Sequence, residues 1–323
     1  MWRLYADRIR DKDDIKSFMK RRFARLYPLH LVFTLVFLAY VIARVLAHKI
    51  GFATLIPGEV LPFSEGAPEN WASFVQNILM LNAFGLSDNL SFNVPSWTIG
   101  AEFYTYIVFA IMMIWFRPKR VFDFAIIGLA IIGIYGFLFS IKPNMDITYD
   151  YGFLRVLAGF YTGVLAAVIF PVVYARLECM HESVCTIIEF IVLGACLAFV
   201  IYLPGKPQFF VAPFLFVFIV VFAADRGLVS RLMSQALFQY LAKISYSIYL
   251  AHLLFAFLFA TLLTEIFGTL PTGWMADVWL GLYLCIVIAV SHFTYHFIEI
   301  PGGRFIRNWK QPQKQVAKAK SSV

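Results

Sequence analysis

Eight long apolar runs, separated by short polar connections, set the pattern of this chain; they fall at residues 29–47, 95–116, 121–141, 152–174, 186–203, 209–224, 244–263 and 278–300. Most approach the roughly 20 residues that a helix needs to cross the hydrocarbon core of a bilayer. Lipid supplies no partner for backbone N–H and C=O groups, so such runs are helices with their hydrogen bonds closed internally. The predicted fold is all-α, a polytopic transmembrane helix bundle of about eight spans. One further apolar stretch, ASFVQNILMLNAF at residues 72–84, is too short to cross, and Gln76, Asn77 and Asn82 interrupt it. It reads as a re-entrant or interfacial segment whose amides need partners inside the protein.

The polar connections alternate in charge. Basic ones follow residues 116, 174 and 224, whereas the loop at 48–71, with Pro57, Glu59, Glu65 and Glu69, and the loop at 142–151, with Asp146 and Asp150, are mostly acidic. That asymmetry places the basic side in the cytoplasm, with both ends of the chain there. The expected division is a basic cytoplasmic lead-in at 1–28, a membrane domain at 29–301 and a basic cytoplasmic tail at 302–323, which includes Arg304, Arg307, Lys310, Lys314, Lys318 and Lys320. The tail is expected to be disordered beyond Trp309.

Composition agrees with the pattern. The residues are 61% hydrophobic and only 14% charged, with a mean hydropathy of +0.77, which excludes an ordinary soluble domain. A net charge of +8 would suit nucleic acid, but the cations lie between apolar runs rather than on one groove, so the bilayer is the partner expected and nucleic acid is not. Cys179, Cys185, Cys196 and Cys285 show no CxxC spacing and predict neither disulfide nor metal. The first thirty residues are charged and lack an apolar h-region, so no cleavable signal peptide is expected in them.

Polar side chains inside the apolar runs are the candidates for chemistry, because an unpaired carboxylate in hydrocarbon costs several kcal/mol. Glu102 lies in the first two turns of its span; a structural Glu bonded to a neighbouring helix is the competing reading. Ser245, Tyr249 and His252 recur at helical spacing and put hydroxyl, phenol and imidazole on one predicted face, which interhelical bonding could also explain. His292, His296 and Glu299 share another face, but without HExxH spacing they predict no metal. Arg22 and Arg25 are neighbours on a helix surface and suit an anion, although orientation by positive charge would account for them too. Glu189, in the first turn of its span, is explained by the helix dipole and interfacial water.

Four blocks then resemble one family. RRFARLYPLHL (21–31), NVPSWTIGAEFYTY (93–106), LAKISYSIYLAH (241–252) and TYHFIEIPGGRFIR (294–307) are similar to the signature blocks of the acyltransferase-3 family, bacterial integral-membrane O-acyltransferases. The resemblance implies an enzyme of the bacterial inner membrane. It would take acetyl or another acyl group from a cytoplasmic acyl-CoA, a donor substrate rather than a bound cofactor, and pass it to a carbohydrate hydroxyl of a cell-surface polysaccharide or glycolipid. It implies that Arg22 and Arg25 contact acyl-CoA, that Glu102 and His252 serve catalysis, and that Ser245, Tyr246, Tyr249 and Glu299 support them, Glu299 structurally. His30 is a weaker candidate for a general base. The family begins with two further helices, the first bearing an Arg and a His that are considered catalytic; this chain is expected to start after them, with residues 1–5 corresponding to the end of the second. The family's general base is therefore expected to be missing and His252 to be its substitute. A truncated enzyme, a non-catalytic partner or pseudoenzyme, and a proton-coupled transporter remain the alternatives, the transporter disfavoured because no repeated halves are evident.

Overall fold

In the computed structural model, residues 1–51 and 60–309 are described; Pro57, Glu59, Lys310, Lys314, Lys318 and Lys320 lie outside them. The described residues form helices α1 (Trp2–Tyr5), α2 (Lys12–Lys49), α3 (Trp71–Ile78), α4 (Trp97–Trp115), α5 (Val121–Ile141), α6 (Gly152–Glu178), α7 (Glu182–Tyr202), α8 (Val211–Phe222), α9 (Leu228–Met233), α10 (Ala236–Phe267), α11 (Trp274–Thr294) and α12 (Ile300–Asn308). Short 3-10 turns precede α4 and α8, and a π-helical turn, Tyr295–Glu299, joins α11 to α12. The molecule is an all-α polytopic membrane bundle. Among the described residues, seven helices are long and apolar enough to cross a bilayer, and Lys206–Phe222 is a shorter apolar helix where the eighth span was expected.

The layers follow from which faces are polar. α4 packs between α2 and α6, and half of its most apolar window is buried, against 11% for α5. α5 exposes residues such as Leu129 and Ile132, as a helix that is apolar all round does when lipid is its solvent. The main core joins Phe18, Phe33 and Phe37 of α2 to Phe109 and Met113 of α4, Ala158 of α6 and Leu250 of α10.

Two helices run across the boundaries drawn from the sequence. No break separates the lead-in from the first span: α2 starts at an Asp11 cap, whose carboxylate accepts from the Asp13 and Asp14 N–H groups, and runs through Pro28. At 1.5 Å per residue its 38 residues reach roughly 57 Å, well beyond a hydrocarbon core, so its first turns project into the polar region. The tail likewise begins as helix. α12 lies along α2 because its glycines permit contact: a Cβ at Gly303 would stand 2.8 Å from the Ala24 carbonyl, and one at Gly302 would stand 2.6 Å from the Pro28 Cβ. Pro28 removes the N–H that would otherwise occupy the Ala24 carbonyl, so the proline and the glycines are two sides of one seam.

The segment at 72–84 does fold inward. α3 is held by a reciprocal cap between Asn70 and Ser73, and it ends without crossing. Asn77 donates to the Ser73 carbonyl (2.9 Å) and to Ser91 (3.2 Å), and its Oδ1 accepts from Asn82 (3.2 Å) and Ser96 (3.2 Å). Gly100 lets α4 approach, since a Cβ there would overlap the Met80 carbonyl.

Glu189 is not left to the dipole and water. It is 1% exposed, and its carboxylate accepts from the N–H groups of Gly227 (3.0 Å), Val229 (2.9 Å) and Ser230 (3.1 Å), and from the Ser230 hydroxyl. It caps α9 across 40 residues of sequence, a partner that local spacing could not reveal.

Candidate functional site

The α2–α12 seam shapes a basic cleft of about 400 Å³, lined by Arg21, Arg22 and Arg25 of α2, Arg307 of α12, and Glu299 and Tyr295 of the π turn. Arg22 is fixed within it. Its Nη2 donates to the Tyr5 hydroxyl at 2.8 Å, and its guanidinium carbon lies 5.1, 5.4 and 5.5 Å from the ring centres of Tyr5, Phe18 and Tyr106, all within cation–π range. Its Nε is buried with no hydrogen-bond partner among the described residues. Burial pushes the Tyr5 phenol up, but the charges and hydrogen bonds of Arg22 and Arg21 bring it below its ordinary value. On the other side of the seam an apolar groove of about 780 Å³ is lined by Phe23, Tyr27, Leu31, Phe305 and Trp309.

Tyr106 connects this cleft to Glu102. Its ring faces Arg22, and its hydroxyl donates to the Glu102 carboxylate one turn back on α4. Neither Glu102 nor His252 lines the cleft itself.

The polar face of α10 is rotated from the one the spacing suggested. Ser245 is exposed and donates to the Ala242 carbonyl of its own helix (2.9 Å). The inward hydroxyl is Ser247, fully buried, which donates to Glu299 at 2.9 Å. Sequence reasoning missed it, although Ile244, Ser247, Ala251 and Leu254 repeat at three and four and are all buried. Tyr246 donates to the Leu26 carbonyl (2.6 Å), beside Pro28. Tyr249 accepts from Thr98 (2.8 Å) and donates to the Pro95 carbonyl (2.9 Å), which docks α10 on the turn that starts α4.

His252 stands one turn beyond Tyr249. Its Nδ1 lies 2.7 Å from the Tyr249 carbonyl; a carbonyl only accepts, so Nδ1 carries a proton, and in the neutral ring Nε2 is the acceptor. Tyr283 donates to the His252 carbonyl at 3.0 Å. Because Thr98 and Tyr249 touch, helix rise puts Glu102 and His252 roughly 10 Å apart along the bundle, on either side of that contact.

His30 lies inside the bundle rather than at its surface. It is fully buried, its Nε2 donates to the Asn77 carbonyl (2.8 Å) under the re-entrant segment, and its Nδ1 has no partner among the described residues. His292 and His296 keep their rings 4.7 Å apart, and Tyr240 bonds His292. Glu299, which shares their predicted face, turns instead to Ser247. Among the described residues, no group of three His, Cys, Asp or Glu could hold a metal ion.

Arginines at one mouth, a carboxylate within a span and paired polar helix faces coincide with the four sequence blocks. The model of the acyltransferase-3 family, an acyltransferase domain, matches residues 3–296. This chain belongs to that family. It is also similar to acyltransferase MdmB of Streptomyces mycarofaciens, 33% identical over 113 residues, which is 34% of this chain and 24% of the relative. The match therefore spans about a quarter of that relative's length. No solved structure matches the chain. Within the acyltransferase-3 frame, each of the four blocks meets another in space: the Arg-x-x-Arg block meets the C-terminal block along α2 and α12, and the Glu102 block meets the His252 block through Thr98 and Tyr249.

Proposed function

We propose that this chain is a membrane-bound O-acyltransferase that moves an acyl group, acetyl above all, from acyl-CoA to a carbohydrate hydroxyl of a cell-surface polysaccharide or glycolipid. In this reading it lies in the bacterial inner membrane with the basic side inward. The acceptor oxygen attacks the thioester carbonyl, a C–O bond forms as the C–S bond breaks, the hydroxyl proton passes to a base, and the released thiolate takes up a proton. Family membership and the named relative favour transfer. The observation that carries the reading is Arg22, caged by three aromatic rings at the mouth of a basic cleft and joined through Tyr106 to the intramembrane Glu102.

In this reading Arg22 and Arg25 hold the anionic carrier, since guanidinium suits phosphate geometry. Glu102 orients the acceptor or the base. His252 is the base, because its Nδ1–H bond leaves Nε2 free to take a proton. The orphaned Nδ1 of buried His30 favours that residue as a second candidate base.

Transfer of labelled acetyl from acetyl-CoA to glycan, measured with wild type and with Arg22→Ala/Arg25→Ala, tests the proposal. The expected result is transfer by wild type and a rise of at least about tenfold in KM for acetyl-CoA in the double variant, the scale of losing a charge-assisted bond. An unchanged acetyl-CoA affinity would remove the anion role.

A further inference from the structure

The basic cleft has two walls, and only one belongs to the Arg-x-x-Arg block. On α2, Arg21 lies over the Tyr5 ring at 5.7 Å and Arg22 is caged. Opposite stands Arg307, exposed, on the face of α12 that lines the cleft, with no hydrogen bond or ion pair among the described residues. Four guanidinium groups thus face a single carboxylate, Glu299, which already accepts from Ser247. An excess of fixed positive charge on both walls fits a ligand with more than one anionic group, and a volume of about 400 Å³ falls within the range of small-ligand pockets.

Coenzyme A has two such groups, a pyrophosphate and a separate phosphomonoester on the ribose. Resting on the acyl-CoA reading above, we infer that Arg307 binds the ribose phosphomonoester while Arg21, Arg22 and Arg25 face the pyrophosphate. A phosphomonoester presents three oxygens and close to two charges, which a free planar guanidinium can engage with two parallel bonds. Arg307 is therefore a specificity residue that separates coenzyme A from carriers lacking that phosphate. The α2–α12 contact at Gly302 and Gly303 is what brings it opposite Arg22.

An anionic lipid headgroup offers related chemistry at the same depth, so the test separates the two sources. The full chain is purified into phosphatidylcholine nanodiscs, with and without phosphatidylglycerol. Binding of acetyl-CoA is then compared with that of its analogue lacking the ribose phosphomonoester, for wild type, Arg307→Gln, Arg307→Lys and Arg22→Ala/Arg25→Ala, with a melting curve for each. The expected result is that wild type prefers acetyl-CoA by about tenfold, the scale of one charge-assisted pair. Arg307→Gln loses that preference while binding the analogue as wild type does, and Arg307→Lys keeps part of it. The double variant loses affinity for both ligands.

A preference left intact in Arg307→Gln, with the double variant still weakened, overturns the inference and leaves the donor reading standing. Loss of acetyl-CoA binding only where phosphatidylglycerol is present, with no preference in its absence, assigns Arg307 to lipid and also overturns it. Failure of wild type to bind either ligand removes the donor reading, and the inference with it.

Discussion

The Tyr106 hydroxyl donates to the Glu102 carboxylate one turn away on α4, so the half-buried acid within this span has a partner on its own helix. That bond occupies one oxygen and leaves the other for a substrate hydroxyl or a base. Glu102→Gln keeps the shape and removes the charge; labelled acetyl transfer is expected to fall by at least about a hundredfold, the scale of general acid–base and positioning effects, with protein yield unchanged. Tyr106→Phe removes only the donor and is expected to cost about tenfold, for a bond to a charged group worth roughly 1.5–3 kcal/mol. Full activity in Glu102→Gln would end its catalytic assignment.

The amide of Asn77 satisfies all four of its hydrogen-bonding positions. Asn77→Leu is expected to destabilise the bundle by at least about 2 kcal/mol, because each buried polar group left unpaired costs about 1–3 kcal/mol. A melting temperature equal to that of wild type in detergent would show that the network does not hold the re-entrant segment.

Glu189 separates stability from chemistry. Glu189→Ala strips three N–H groups and a hydroxyl of their acceptor and is expected to lower stability by about 2–4 kcal/mol, the cost of a lost cap and buried orphans. Transfer by the folded fraction should be unaffected; a selective loss of kcat at unchanged melting would instead tie α9 to catalysis.

The loop at 142–151 provides a pH response outside the spans. Burial pushes the Asp150 carboxyl up, but the Lys142 bond and the Tyr151 N–H outweigh it and leave it below the ordinary carboxylate value; the same bond raises Lys142. A depressed acid stabilises the fold above its unfolded pKa and loses that contribution as pH falls through the folded value. A raised lysine contributes below its unfolded pKa and loses the contribution as pH rises through the folded one. The melting difference between wild type and Asp150→Asn should therefore be constant from about pH 5 to 9 and shrink on either side. A difference independent of pH down to pH 3, measured by the same melts, would refute the pairing; that pH is about one unit below the free carboxyl.

Much of this architecture was legible because lipid is a strict solvent. Apolar length located the spans, and Asn77 and Asn82 betrayed the segment that turns back, since amides in hydrocarbon must find protein. The inward face of α10 was harder to read: the polar spacing favoured Ser245, which bonds its own helix, whereas the apolar repeat through Ile244, Ala251 and Leu254 marks Ser247, which bonds Glu299. Pro28 suggested a boundary that the helix ignores, because the carbonyl it frees is packed against Gly303. Glu189 and Arg307 find their setting far away in sequence, so no local pattern announced either. The blocks located Arg22, Glu102 and His252, while the caging of Arg22 depended on Phe18 and Tyr106 meeting across two helices.

The seam between α2 and α12 also fixes an order of assembly. The α2 wall of the basic cleft leaves the ribosome before the α12 wall, which follows α11. An intermediate that lacks α12 has no second wall, so the closed recess should arrive in a single step, when α12 packs onto α2.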